Sequence, residues 1–322
     1  MGNTDKQVKF TLLENAFDFI LSALAHISDD SSERDLKYAI LHLSAGVELV
    51  LKERLKKEHW SLVFENVEKA NRQSYESGEF QSVNVITCID RLNGICGLSF
   101  RPEHKEALTH LRKKRNKLEH FSTVDSVDAM KSATGKVLSI ILDFIVRNLS
   151  PKKFDVSEQK MFDEIKSQVM KLEDFAKHRM ETLKGELEEK GKACHVLECP
   201  SCLEEALVLG DGNPQCLFCY YEDTPDKVAH EYLETIQGES RYLAVKEGGP
   251  YSLYYCFSCG DEALVHLVND GVEGKTEWVC FGCGESWAND DIDFCGRCGV
   301  PYPDKHGSAM CGGCYDSLVG GD

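Results

Sequence analysis

The sequence predicts a mainly α chain: an N-terminal helical bundle, then a long linker helix, then three small four-cysteine modules. Three observations carry this expectation. Apolar residues recur at three- and four-residue spacing through the first 150 positions, with almost no strand signal. Six Cys-x-x-Cys pairs crowd into the stretch from Cys199 onward. Charge is split: residues 1–150 carry 21 Lys and Arg against 21 Asp and Glu, whereas residues 151–322 carry 16 against 33, so the whole net charge of −17 falls in the second half.

The elements follow in order. Phe10, Leu13, Phe17, Ile20, Leu21 and Leu24 predict a helix over 7–28. Asp29-Asp30-Ser31-Ser32 breaks it and offers N-caps. Leu36, Ala39, Ile40, Leu43, Val47, Val50, Leu51 and Leu55 predict a second helix over about 32–57. Shorter helices are expected near 61–75 and 82–93. Pro102 starts another at its first position and carries it to about Phe121. Met130, Val137, Ile140, Ile141, Phe144 and Ile145 mark a helix over about 124–149. These elements make a bundle over 1–150, long enough to bury its own core.

Residues 151–193 are expected to hold the linker helix, with Met161, Ile165, Val169, Leu172, Phe175, Leu183 and Leu187 as a narrow apolar stripe over 157–190. That stripe suits either a partner helix or a fold back onto the bundle. The modules are then placed at 194–222, 253–287 and 288–322, with a connector at 223–252. No basic-then-apolar leader opens the chain, and no apolar run is long enough to span a bilayer, so the expectation is a soluble, cytoplasmic protein without membrane contact.

In a reducing compartment paired cysteines read as metal ligands rather than disulfides. Each two-residue gap lets both sulfurs of a tight turn face one ion, and two such turns complete a tetrahedron. Cys199, Cys202, Cys216, Cys219, Cys256, Cys259, Cys280, Cys283, Cys295, Cys298, Cys311 and Cys314 therefore supply three Zn²⁺ sites. Four thiolates leave no open position, so these sites are structural and no catalytic metal is expected. Iron accepts the same ligands. Cys199-Pro-Ser-Cys-Leu-Glu-Glu-Ala-Leu-Val208 parallels Cys256-Phe-Ser-Cys-Gly-Asp-Glu-Ala-Leu-Val265, an internal repeat that favours sequential pairing. Interleaving among the last four pairs stays open. The modules resemble zinc ribbons, the second most closely. Cys88 and Cys96 read as packing residues, and Cys194 with His195 as a spare ligand pair or an incidental one.

The reactive constellation lies in Leu111-Arg-Lys-Lys-Arg-Asn-Lys-Leu-Glu-His-Phe121, which contains Arg115-Asn116-x-x-x-His120. This run resembles the signature of the HEPN ribonucleases, and Ala45-Gly-Val-Glu-Leu-Val-Leu-Lys-Glu-Arg-Leu55 resembles that family's second helix. The resemblance covers about residues 7–149. It implies a homodimer in which two motif helices form one cleft, metal-independent RNA cleavage, and a role as a toxin or anti-phage abortive-infection effector. Some family members carry a modifiable Tyr two residues after the His; here that position is Ser122. A second Arg-x4-His run, Arg54 to His59, lacks the Asn and is treated as a decoy.

The chemistry stands beside the resemblance. RNA carries its own nucleophile, the 2′-OH. His120 can move a proton near neutral pH, and Arg115 can hold phosphate oxygens. Asn116 and His120 are four apart and share a helix face. Arg115 and His120 are five apart, about 140° around the axis. Arg112, Lys113, Lys114 and Lys117 would draw in an RNA backbone. Glu48 is a candidate to orient a motif residue, and Glu119 to pair with Arg115 across one turn. The competing reading is a non-catalytic dimeric adaptor whose zinc ribbons recruit a protein partner or trigger. Nucleic-acid binding by the ribbons is disfavoured, because residues 199–322 hold only Lys227, Arg241, Lys246, Lys275, Arg297 and Lys305 as cations.

Overall fold

The computed structural model describes residues 9–28, 31–121, 125–210, 212–247, 251–268, 277–303 and 309–319. The chain divides into two compact units, Met1–Glu181 and Thr182–Asp322.

Among its described residues, the regular structure of the first unit is all helical apart from one isolated bridge. Its helices are α1 (Leu12–Ala25), α2 (Glu33–Glu58), α3 (Arg72–Ser77), α4 (Val85–Gly94), α5 (Pro102–His120), α6 (Val127–Leu149), α7 (Val156–Val169) and the start of α8 (Glu173–Lys190). The first helix begins at Leu12 rather than residue 7, because Thr11 caps it. The Thr11 hydroxyl accepts from Glu14 N–H, and the Glu14 carboxylate accepts from Thr11 N–H at 2.7 Å. Ser32 and Asp35 form the same box on α2. Pro102 opens α5 at its first turn. The Ser122 position lies outside the described residues.

Two predicted helices are broken. The helix expected over 61–75 is instead two 3-10 turns followed by α3. Asn66 and Asn71 turn their side chains onto the backbone N–H groups of Glu68 and Ser74, which interrupts a continuous helix. Val83 N–H bonds Val63 C=O at 2.9 Å, and Phe64 stacks on Phe80 with centroids 4.1 Å apart. The helix expected over 157–190 breaks at Met170–Leu172. The break lets two segments dock on different neighbours. Phe162 of α7 meets Phe17 of α1, with Phe154 beside both. The start of α8 lies against α6 at Gly135, where a Cβ would come within 2.8–2.9 Å of Asp174 and Phe175. Buried Arg179 of α8 then pairs with Asp143 of α6 at 3.0 Å. Fold-back onto the bundle, the second of the two expectations, describes both segments within this unit.

The second unit carries the small sheets. Strands β1 (His195–Glu198), β2 (Glu205–Leu209) and β3 (Gln215–Cys216) form one antiparallel sheet in the order β1-β2-β3. The connector is helical, α9 (Pro225–Thr235) and α10 (Arg241–Glu247). Strands β4 (Leu253–Tyr255), β5 (Glu262–Leu267), β6 (Glu277–Cys280) and β7 (Ser286–Ala288) form a second antiparallel sheet in sequence order. Strands β8 (Ile292–Phe294) and β9 (Pro301–Pro303) pair antiparallel, and α11 (Gly312–Val319) follows. Helix α9 buries Val228, Ala229, Tyr232 and Leu233 and packs against β5 and β4. Tyr232 meets Phe281 edge-on at 5.2 Å. Among the described residues no helix is long and apolar enough to cross a membrane.

The internal repeat persists down to single hydrogen bonds. Each hairpin, β1–β2 and β4–β5, slips register two residues before its first cysteine, at Leu197/Glu198 and at Tyr254/Tyr255. In each copy the residue after the third cysteine donates to the same alanine carbonyl, Leu217 to Ala206 at 2.9 Å and Phe281 to Ala263 at 2.8 Å.

Candidate functional site

The twelve paired cysteines gather into three groups of four: Cys199, Cys202, Cys216 and Cys219; Cys256, Cys259, Cys280 and Cys283; Cys295, Cys298, Cys311 and Cys314. Sequential pairing is therefore the observed one. Five of the six turns share one local geometry. The first cysteine accepts at its carbonyl from the residue four on and donates its N–H to the residue five on, as in Gly260 N–H to Cys256 C=O and Cys256 N–H to Asp261 C=O. That closure needs a left-handed residue just after the second cysteine. Gly260, Gly284 and Gly299 fill it with φ of 80°, 73° and 70°, and Leu203 and Tyr220 adopt it in the first module at 64° and 59°. The sixth turn differs, since Cys314 lies on α11.

The spacing fits a tetrahedral ion. A Zn–S bond of about 2.3 Å gives a tetrahedron edge of about 3.8 Å. Facing sulfurs lie 3.8 Å apart in Cys199–Cys219 and Cys202–Cys216, 3.7 and 3.6 Å in Cys256–Cys283 and Cys259–Cys280, and 3.8 Å in Cys298–Cys311. These are too long for disulfides. Backbone N–H groups point at the sulfurs, Ser201 at Cys199 (3.4 Å), Ser258 at Cys256 (3.4 Å) and Gly282 at Cys280 (3.3 Å). Such donors favour the thiolate a metal requires. Four sulfurs leave no position for water, so each group is compatible with a structural Zn²⁺. Cys194 and His195 join none of these groups. Cys88 is buried, and burial pushes its thiol up to about 12, as befits a packing residue.

The motif residues occupy the last turns of α5. Arg115 NH1 meets Glu119 Oε2 at 2.7 Å and donates to Asn116 Oδ1 at 3.1 Å. The same Glu119 oxygen lies 3.7 Å from His120 Nε2. Glu119 thus spans the two residues that the helix geometry holds apart. The His120 side chain is 60% exposed.

The basic run does not all face outward. Lys113 and Lys117 are exposed and Arg112 is half-buried. Lys114 is only 6% exposed and pairs with Asp125 at 3.0 Å, so it is a packing residue and not a phosphate contact. It sits three residues from buried Leu111, on the inward face of α5. In the decoy run, Arg54 pairs with Glu58 and His59 bonds Ser61.

Arg115 and Glu119 border a cleft of about 460 Å³ between α5 and the outer face of α1 and α2. Glu48 lines it too, yet its carboxylate is held by Lys52 at 2.5 Å, and Lys52 also donates to Ser82. It therefore fixes a buried lysine rather than a motif residue. The cleft also contains residues the motif reading passed over: Phe19, Tyr38 and His42. His42 Nδ1 bonds Ser22 Oγ at 2.9 Å, and burial with the nearby His26 holds its ring below the ordinary imidazole range. Tyr38, Leu41, His42, Ala45 and Leu49 recur every three or four residues, a second half-exposed stripe on α2 that helical periodicity marks in the sequence.

No family model matches this chain, and no curated protein or solved structure matches it.

Proposed function

We propose that the helical unit is a metal-independent, HEPN-like endoribonuclease acting as a toxin or anti-phage abortive-infection effector. The observation that carries this reading is the joining of Arg115, Glu119 and His120 at the exposed end of α5, beside the cleft on α1 and α2. The RNA 2′-OH attacks the neighbouring phosphorus, the bond to the 5′ oxygen breaks, and a 2′,3′-cyclic phosphate and a 5′-hydroxyl result. His120 moves the proton, and Arg115 leaves Glu119 to hold the phosphate oxygens. Asn116, beside Arg115, helps to set the guanidinium. Exposed Lys113 and Lys117, with Arg112, attract the RNA backbone. The half-exposed apolar stripe on α2 supports a homodimer, because a second copy seated there brings two Arg115/His120 pairs near one another.

The three cysteine groups hold structural Zn²⁺ in this reading. The acidic second unit senses a trigger, docks a protein partner or inhibits. One observation favours the alternative of a non-catalytic dimeric adaptor: Glu119 already neutralises Arg115 within the chain.

RNA cleavage in the presence of EDTA separates the two readings, with the zinc content of the protein checked after the assay. Wild type is expected to cut, and His120→Ala and Arg115→Ala to lose at least a hundredfold in rate. Equal cleavage by His120→Ala would falsify the assignment, and no cleavage of any RNA favours the adaptor.

A further inference from the structure

The second unit holds a cleft of about 1140 Å³ between its first sheet and the helices of its connector. His195, Val196, Leu197 and Glu198 all border it. Successive side chains of a strand point to opposite faces. A cavity that touches four in a row therefore follows the strand's edge. β1 is the terminal strand of its sheet, paired only with β2 among the described residues. Its outer edge is a ready template for another strand.

The chemistry of the walls is one-sided. Tyr232 of α9, Ile236 at its C-cap, and Leu243 and Ala244 of α10 supply apolar surface. Glu198, Glu205, Glu239, Glu247 and Glu277 also line the cleft, and among the described residues no Lys or Arg does. Two of the five are engaged. Glu239 accepts from Ser252 N–H and Oγ at 2.6 and 2.8 Å, and Glu277 lies 3.9 Å from His195. Glu198, Glu205 and Glu247 are exposed and make no ion pair among the described residues. Like charges left unpaired around an apolar trough repel phosphate and favour a cationic guest.

We propose that this cleft binds an extended, basic peptide, whose backbone adds as a strand to the free edge of β1. Its Lys or Arg side chains meet Glu198, Glu205 and Glu247, and its alternate apolar side chains rest on the α9 and α10 surface. The inference deepens the docking role proposed for the second unit and rests on that reading. It is independent of catalysis by the first.

The test is a fluorescence-anisotropy titration of the full zinc-loaded chain. The probe is a capped eight-residue peptide of alternating lysine and valine, at low salt. Micromolar binding is expected. Three changes are each expected to weaken it at least tenfold: glutamate in place of every lysine, backbone N-methylation of alternate residues, and the triple variant E198Q/E205Q/E247Q. The variant's zinc content and circular dichroism show whether it is folded. Equal binding of the N-methylated peptide overturns strand addition, and equal binding of the glutamate peptide or by the folded triple variant overturns charge recognition. No binding of the lysine peptide overturns the proposal. If the triple variant is misfolded, the two altered peptides decide it on wild-type protein. RNA cleavage, read separately on the same preparation, reports on the nuclease reading alone.

Discussion

The two units close their cores by different means. Unit 1 carries 28 Lys and Arg against 28 Asp and Glu, and it buries long helix faces such as Leu36, Leu43, Val47, Val50 and Leu51 of α2. Unit 2 carries 9 against 26 and splits its strands among three small sheets. Sheets this short bury little by themselves. The first unit has long apolar helix faces to pack, whereas the second adds to a smaller apolar core three four-cysteine groups compatible with structural Zn²⁺, on which its stability is expected to depend.

The largest effect follows metal removal. Structural zinc contributes about 10–16 kcal/mol per site in small modules. A strong chelator is expected to unfold unit 2 and leave unit 1 folded. Trp60 reports on the first, and Trp278 and Trp287 on the second, so single-tryptophan variants separate the signals. The third group should empty first, because Cys298 is exposed and Cys311 and Cys314 are half-exposed, whereas Cys199, Cys216 and Cys219 are buried. Retention of the Trp278 signal in fully metal-free protein would break the comparison.

Next comes packing in unit 1. Phe17 is wholly buried and meets both Phe154 and Phe162. Phe17→Ala is expected to cost about 3–5 kcal/mol. Denaturant unfolding should shift at Trp60 and stay unchanged at Trp278. A joint shift would show that the units fold as one.

The Asp143–Arg179 pair gives unit 1 a pH signature. Burial raises the Asp143 carboxyl, but Arg179 and Arg147 outweigh it and hold the group below the ordinary carboxylate range. A lowered folded pKa stabilises above the unfolded value of about 3.9 and loses that contribution as pH falls through the folded value. Asp143→Asn is expected to cost about 3 kcal/mol at neutral pH, because it removes the carboxylate charge that faces buried Arg179 at 3.0 Å. The gap from wild type should shrink as pH falls below about 4, the ordinary carboxylate value, read at Trp60. A gap independent of pH would sink this account.

How much of this was legible in the sequence follows the same divide. The cysteine groups were readable because a metal turn has a fixed spacing, and the repeat at Cys199 and Cys256 favoured the sequential pairing that the structure then shows. The long helices were readable from their apolar spacing, with Ser32 and Pro102 marking two of their starts, whereas the Thr11 cap that moves the first start from residue 7 to Leu12 was passed over. The break at Met170–Leu172 was not, since it answers to two separate docking surfaces, one of them opened by Gly135. Helix α9 was hidden among the modules, although Pro225, Val228, Ala229, Tyr232 and Leu233 carry a helical start and spacing. At the motif, spacing predicted the Arg115–Glu119 pair but not the inward turn of Lys114 or the capture of Glu48 by Lys52. Those depend on which face of the helix meets a neighbour.

The smallest effect asks how well the first module is built for its task. Three other metal turns place glycine at the left-handed position, whereas Leu203 holds it at φ 64° with its side chain 59% exposed. A side chain there costs about 1–2 kcal/mol in steric strain. Glycine relieves that strain and gives back part of the gain as unfolded-chain entropy, about 0.5–1 kcal/mol. Leu203 is exposed, so its removal forfeits little burial. Leu203→Gly is therefore expected to stabilise the first module by about 0.5–1 kcal/mol, a few-fold in zinc affinity. Competition against a chromophoric chelator measures it, with the second group as an internal standard because Gly260 and Gly284 already occupy its turns. A loss of affinity would mean that Leu203 packs in the metal-bound state, and that the first module borrows from unit 1's way of holding itself together.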